Sequence, residues 1–230
     1  MNIISPETLL LFTLTKEKIN MTTEKSKSMA LPEGRVINCH LFERDAYKGE
    51  EGSKPGEPMY KIELAFDPSQ LVEAEDALVA TCVAKWGAGA EEDYDAGRIA
   101  SPLLDGNVLK ASKEERKKNG DAYADKLVLR ANTQFNKNGD AAPGGIYVCG
   151  PDAVEITAAQ SGEIYAGMYG IAIVTPKAYI AQGKKGVKFY LVAFQKTRDG
   201  EKLFSADHSK LFEPVKGAPA SATSRRRVAR

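Results

Sequence analysis

Rings and ammonium groups are interleaved between Glu163 and Lys202 in a way that suits one kind of chemistry. Tyr165, Tyr169, Tyr179 and Tyr190 alternate with Lys177, Lys184, Lys185, Lys188 and Lys196, and from Ala181 to Arg198 there are five basic residues and no acidic one. A flat ring is a stacking platform for any base, and a lysine is a point charge for any phosphate. Together they suit a flexible polyanion whose bases are unpaired. A plainer alternative stays open, because many sheets carry Lys and Tyr on a solvated face for solubility and strand propensity alone.

A long β-hairpin is the element able to hold these side chains on one surface. Its first strand is expected from Ile164 through Val174 to Ile180, and its second from Val187 to Lys196. Glycine-first dipeptides favour two-residue hairpin turns. A Gly183-Lys184 turn would set Ile180 against Val187, Tyr179 against Lys188 and Lys177 against Tyr190. Side chains alternate across a strand, so Ile180, Val187, Phe189, Leu191 and Ala193 are expected on an apolar face. Tyr179, Lys177, Lys188, Tyr190 and Lys196 are expected on the other. Phe194 shares the parity of Tyr190 and is core only if the strand bulges or its far end is covered. Gly167 and Gly170 can mark another bulge, which would flip Tyr165 relative to Tyr179.

Other chemistry is hard to find. The two histidines, His40 and His208, are far apart in sequence, and His40 beside Cys39 on a strand would point to the opposite face. No glycine loop of the phosphate-cradling kind lies between a strand and a helix. Glu91, Glu92, Asp93 and Asp95 lack the glycine turn and distal Glu of a calcium loop and read as a solvated acidic loop. No catalytic residues, cofactor or metal are expected.

The chain of 230 residues suits one generous domain or two small ones, and its 43% hydrophobic and 27% charged residues are those of a globular protein. The net charge of +1 means that polyanion binding must come from a local patch. Cys39, Cys82 and Cys149 are odd in number and widely spaced, which fits free thiols rather than a disulfide framework or a zinc knuckle. The apolar run Leu9 to Phe12 is too short to span a bilayer, and Glu7 precedes it where a secretory signal would carry a basic residue.

Strand candidates run from Gly34 to Phe42, Tyr60 to Phe66 and Lys126 to Ala131, with short fragments at Ile146 to Val148 and Val154 to Ile156. Asp67-Pro68 reads as a helix start, and Leu71, Ala74, Leu78, Val79, Cys82 and Val83 recur at helical spacing before Gly87. The expectation is a mainly β domain with one or two helices, an elaborated β-barrel with long loops across residues 34–213. It is flanked by a flexible arm (1–33) and a disordered basic tail (214–230).

Three segments taken together resemble a family of tailed-phage single-stranded-DNA-binding proteins. They are Tyr60 to Pro68; Pro102 to Asn107 leading to Tyr123 and Leu127 to Asn132; and Glu163 to Tyr169 with Lys185-Gly186-Val187, Gln195-Lys196 and Asp199-Gly200-Glu201. The resemblance runs from about Gly34 to Phe204. It implies an OB-fold-like barrel that coats single-stranded DNA in phage replication, recombination or repair, without catalysis, in the cytoplasm of the infected bacterial host. It leaves open contacts with phage replication or recombination proteins and a homodimer. An annealing or nuclease-accessory protein and a structural phage protein are the alternatives. Two features depart from the family pattern. The link Pro143 to Pro151 is long, and the chain ends in four arginines among its last six residues instead of an acidic tail. On an OB barrel the stacking platforms would be Tyr60, Tyr165, Tyr169, Tyr179 and Tyr190. The phosphate contacts would be Lys61, Arg130, Lys177, Lys184, Lys185, Lys188 and Lys196, with Phe66 and Phe189 in the core.

Overall fold

The computed structural model describes residues 27–46, 56–112 and 119–203. The first 26 residues, the run 113–118, His208 and the arginine-ended tail lie outside the described residues. In chain order the elements are β1 (Met29–Ala30), β2 (Gly34–Asp45), β3 (Met59–Phe66), α1 (Val72–Trp86), α2 (Gly89–Asp95), β4 (Leu103–Asp105), α3 (Gly106–Ser112), β5 (Leu127–Thr133), β6 (Tyr147–Cys149), β7 (Tyr169–Ala181) and β8 (Lys184–Arg198).

Five of these strands close on themselves. β7 pairs β2, β2 pairs β3, β3 pairs β5, β5 pairs β8, and β8 returns to β7. Every contact is antiparallel except β5–β8, which is the arrangement of an OB-type barrel. The seams are uneven. The β7–β8 ladder runs the whole hairpin, whereas β2–β7 and β5–β8 are each held by two residue pairs.

Alternation in β3 explains the closure. Tyr60, Ile62, Leu64 and Phe66 are all 1% exposed or less and point inward, while Lys61 and Glu63 point out. Inside, they meet Leu129 and Ala131 of β5 and Val187, Phe189 and Leu191 of β8. α1 supplies Ala74, Leu78 and Cys82 to the same core at helical spacing. Asp67-Pro68 opens a 3₁₀ turn, Pro68–Gln70, and the α-helix proper begins at Val72. Three α-helices are present among the described residues, more than expected. A second apolar cluster, Ile37, Ala65, Ala122, Tyr123 and Val128, covers one end of the barrel's outer face, with Leu104, Leu109 and Leu203 packed on it.

The expected flexible arm is anchored at its end, since Met29 and Ala30 pair with β7 and Leu31 is 2% exposed. β7 starts at Tyr169 rather than Ile164, because Ala158–Glu163 forms a 3₁₀ segment and the chain turns at Gly167. The hairpin turn is Gln182-Gly183, with φ of 50° and 75°, the left-handed pair that matches strand twist. Lys177 therefore faces Lys188, Ala178 faces Val187, Tyr179 faces Gly186 and Ile180 faces Lys185. This differs from the expected register by two residues, and a slip of two leaves every side chain on its face. Ile180 shares the face of Val187 but overhangs the core and is 63% exposed.

β8 does bulge. Ile173 pairs Ala193 while Val174 pairs Leu191, so Val192 is the extra residue. The bulge turns Phe194 inward to 1% exposure and moves Ala193 to the outer face. It also carries Lys196, two residues beyond Phe194, away from the face of Tyr190.

Candidate nucleic-acid interface

Register places one band of side chains across the outer face of the barrel. Paired residues in a ladder share a face, so His40 of β2, Lys61 of β3, Asn132 of β5, Tyr190 of β8 and Thr175 of β7 form one row. Two residues along, Asn38, Glu63 and Arg130 form a second row, continued by the directly opposed Lys188 and Lys177. Tyr179 and Lys184 extend the face to the hairpin tip.

The cations of this band differ in availability. Lys61 is ion-paired with Asp45, and the Arg130 Nε donates to Glu63 Oε1 at 2.7 Å. Lys177 and Lys188 have no carboxylate partner among the described residues. Their Nζ atoms lie instead over the Tyr190 ring, 4.4 and 4.5 Å from its centroid, and Lys188 is also 5.8 Å from that of Tyr179. The Tyr179 ring lies flat across Gly186, where a Cβ would come within 2.4 Å of its Cζ. Only glycine lets the ring settle there, so one ring face is held against the backbone.

The other sequence candidates are elsewhere. Tyr60 is wholly buried, and its hydroxyl donates to Ala142 O at 3.2 Å and accepts from Gly145 N at 3.2 Å, so it supports the 136–145 loop from inside and cannot stack on a ligand. Lys185 has the parity of Val187 and projects toward the helices. Its Nζ reaches Asp93 Oδ2 at 3.2 Å and lies 5.6 Å from the Trp86 ring centroid. Hydrogen bonds from Arg98 and Lys185 hold the Asp93 carboxyl below the usual carboxylate range. Tyr165, Tyr169 and Lys196 gather at the base of the hairpin. Tyr169 lies at the opposite end of β7 from Tyr179, roughly 30 Å away at the rise of a strand. There the Tyr169 ring is covered by the Arg198 guanidinium at 3.4 Å, and Tyr165 donates to Asp199 Oδ1 at 2.8 Å. Lys196 pairs with Asp199 at 2.7 Å and lies 5.4 Å from the Tyr165 ring.

Five members of the band were not anticipated: His40, Asn38, Asn132, Glu63 and Thr175. Asn132 Oδ1 is buried and accepts no hydrogen bond among the described residues. Simple alternation from Arg130 was a signal for it. Burial lowers the affinity of the His40 imidazole for a proton, with Lys61 adding to the effect and Asp45 opposing it. The Cys39 thiol is pushed up to about 11 by burial and is a poor nucleophile. Among the described residues no group of three or more His, Cys, Asp or Glu is placed to hold a metal, and no helix is long and apolar enough to cross a membrane.

Residues 30–213 match the family described as the Enterobacter phage Enc34 ssDNA-binding protein. The solved structure of the single-stranded DNA-binding protein from bacteriophage Enc34 in complex with ssDNA is similar to this chain at a TM-score of 0.56 and 20% identity, covering 79% of this chain and 91% of that one. The crystal structure of gp2.5, a single-stranded DNA-binding protein encoded by bacteriophage T7, is similar at a TM-score of 0.50 and 14% identity, covering 82% of this chain and 98% of that one. At these identities the likeness shows the shared fold. No curated protein matches the sequence.

Proposed function

Since this chain belongs to the family of the Enterobacter phage Enc34 single-stranded-DNA-binding protein, we propose that it binds single-stranded DNA across the outer face of its barrel, with little dependence on sequence. The observation that carries this reading is the pair Lys177 and Lys188, two cations without carboxylate partners among the described residues, beside the rings of Tyr179 and Tyr190. Lysines there meet phosphates, and rings there meet unstacked bases, each worth about 1–3 kcal/mol. Asn132 offers an unsatisfied acceptor in the same band. Lys61 and Arg130 are positioned beside it, but each must exchange a carboxylate for a phosphate.

The protein acts by binding rather than catalysis, coating exposed strands during phage replication, recombination or repair in the host cytoplasm. Replication or recombination proteins and a second copy of the chain are its proposed protein partners. Titration of a labelled oligo-dT, followed by anisotropy at several salt concentrations, tests the reading. Affinity is expected to fall with salt at a log–log slope of about −0.7 per phosphate contact, and duplex of the same length to bind more weakly. Unchanged affinity and slope in a Lys177→Gln/Lys188→Gln variant would move the interface off this face.

A further inference from the structure

Lys177 and Lys188 stand directly opposite each other in the β7–β8 ladder. Like charges so placed repel, and the usual remedy is a carboxylate. The protein uses that remedy for Lys61, Arg130, Lys185 and Lys196, each of which has an acidic partner. For Lys177 and Lys188 the stabilising group is the electron-rich ring of Tyr190, within 4.5 Å of both ammonium groups. A nucleobase stacks on the face of a ring. An ammonium over that face and a stacked base therefore compete for the same place.

Building on the reading above, we infer that Lys177 and Lys188 mask Tyr190 in the free protein, and that a backbone phosphate unmasks it. The phosphodiester is a stronger partner for an ammonium than a neutral ring is, because it offers full charge and hydrogen-bond acceptors. A strand arriving on the sheet draws an ammonium from the ring onto its phosphate, and the vacated face receives the adjoining base. Phosphate binding and stacking at Tyr190 are then two steps of one coupled event. Tyr179 is held differently, flat on Gly186 with one ammonium at 5.8 Å, and is open from the start. Polyanions without bases would occupy the lysines, whereas bases without a backbone would find Tyr190 closed.

The experiment compares oligo-dT with an oligomer of equal length built from abasic deoxyribose phosphates. The ratio of their dissociation constants measures what the bases add. It is determined for the full chain, Lys177→Gln, Lys188→Gln and the double variant, each with and without Tyr190→Ala. All three positions are on an outer strand face, and melting temperatures confirm that the variants fold. Removing the lysines is expected to weaken both polymers and flatten their salt slopes. The base-dependent ratio nevertheless rises, by about two- to fivefold for each ammonium that no longer has to be displaced. Tyr190→Ala is expected to abolish that rise. A ratio that stays constant or falls in the double glutamine variant overturns the masking. If every variant, Tyr190→Ala included, binds both polymers as the unmodified protein does, the DNA lies elsewhere and the functional reading falls with it.

Discussion

Lys185 and Lys188 share a strand and face opposite sides of it, Lys185 reaching Asp93 of α2 at 3.2 Å while Lys188 lies 4.5 Å from the Tyr190 ring centroid. Two nearby lysines thus have different work. One fastens the hairpin tip to the helices, and the other, which lies over a ring, is the proposed phosphate contact. Lys188→Ala is expected to lower the magnitude of the salt slope for oligo-dT by about 0.7, the loss of one phosphate contact. Lys185→Ala is expected to leave the slope nearly unchanged, with a small drop in melting temperature, because the pair is partly solvated. Equal flattening by the two variants would make Lys185 a phosphate contact after all.

Tyr60 supports the interface from beneath. Tyr60→Phe removes the hydroxyl that accepts from Gly145 N and donates to Ala142 O, leaving a buried backbone N–H unpaired. The expected cost is about 1–3 kcal/mol of stability by denaturant unfolding. The salt slope of DNA binding should not move.

Gly186 is the seat of the Tyr179 ring. Gly186→Ala places a methyl where the ring lies, within 2.4 Å of its Cζ, and the ring must lift. Stacking at Tyr179 should weaken, lowering oligo-dT affinity by at most the ~1–3 kcal/mol of one base. The salt slope is expected to stay the same, since no charge is lost. A flattened slope would show that the substitution disturbs the lysines instead.

His40 gives the fold a pH dependence of definite sign. Burial holds its proton affinity below the ordinary value of 6.5, Lys61 acting with burial and Asp45, Glu63 and Glu43 against it. The unfolded chain therefore binds this proton more readily. The stability that His40 contributes is present above its unfolded pKa and is lost as pH falls through its lower folded pKa. Glu33, Asp93 and Asp199, all held below the carboxylate range by hydrogen bonds, lose their contributions only at more acid pH. Melting temperature is expected to fall between about pH 7.5 and 5.5, and to fall less in His40→Gln. Equal falls in both proteins would assign the dependence to other groups.

The arginine-ended tail is proposed to add phosphate contacts without sequence preference. Leu203, the last described residue, packs on the outer-face cluster around Ile37, on the same outer surface as the proposed DNA band. Deleting residues 217–230 should weaken oligo-dT binding modestly, reduce the slope and spare the melting temperature. Tighter binding by the truncated protein would instead make the tail a competitor of DNA.

Much of this was legible in period-two alternation. The interleaving of Lys177, Tyr179, Lys188 and Tyr190 needed only the hairpin, and an error of two residues in register did no harm to their shared face. The same alternation already set Tyr60 with Ile62 and Leu64, and Lys185 with Val187 and Phe189, so both belonged to the other side. The turn was misplaced because Gln182 takes a left-handed conformation usually left to Gly, Asn or Asp. The bulge at Val192 left one sign, the polar-face parity of the apolar Phe194, but its consequence for where Lys196 points was not drawn. The ion pairs of Arg130 with Glu63 and of Lys185 with Asp93 join segments distant in sequence, and only the β3–β5 pairing and the packing of a helix beside β8 bring them together.

The short seams have a consequence for how the molecule opens. The β7–β8 ladder is locally connected and extends from Tyr169–Arg198 to Ala181–Lys184, while β5 holds β8 by two pairs and β2 holds β7 by two more. The hairpin therefore makes one cooperative unit, joined to the other barrel strands along two thin lines of amides, with β1, β6 and Ala100 adding short pairings along it. Native-state hydrogen exchange should register this as a step. Protons bridging β5 and β8 are released by a partial opening in which β7 and β8 stay zipped together, and those in the middle of the hairpin ladder are released only when the whole domain unfolds.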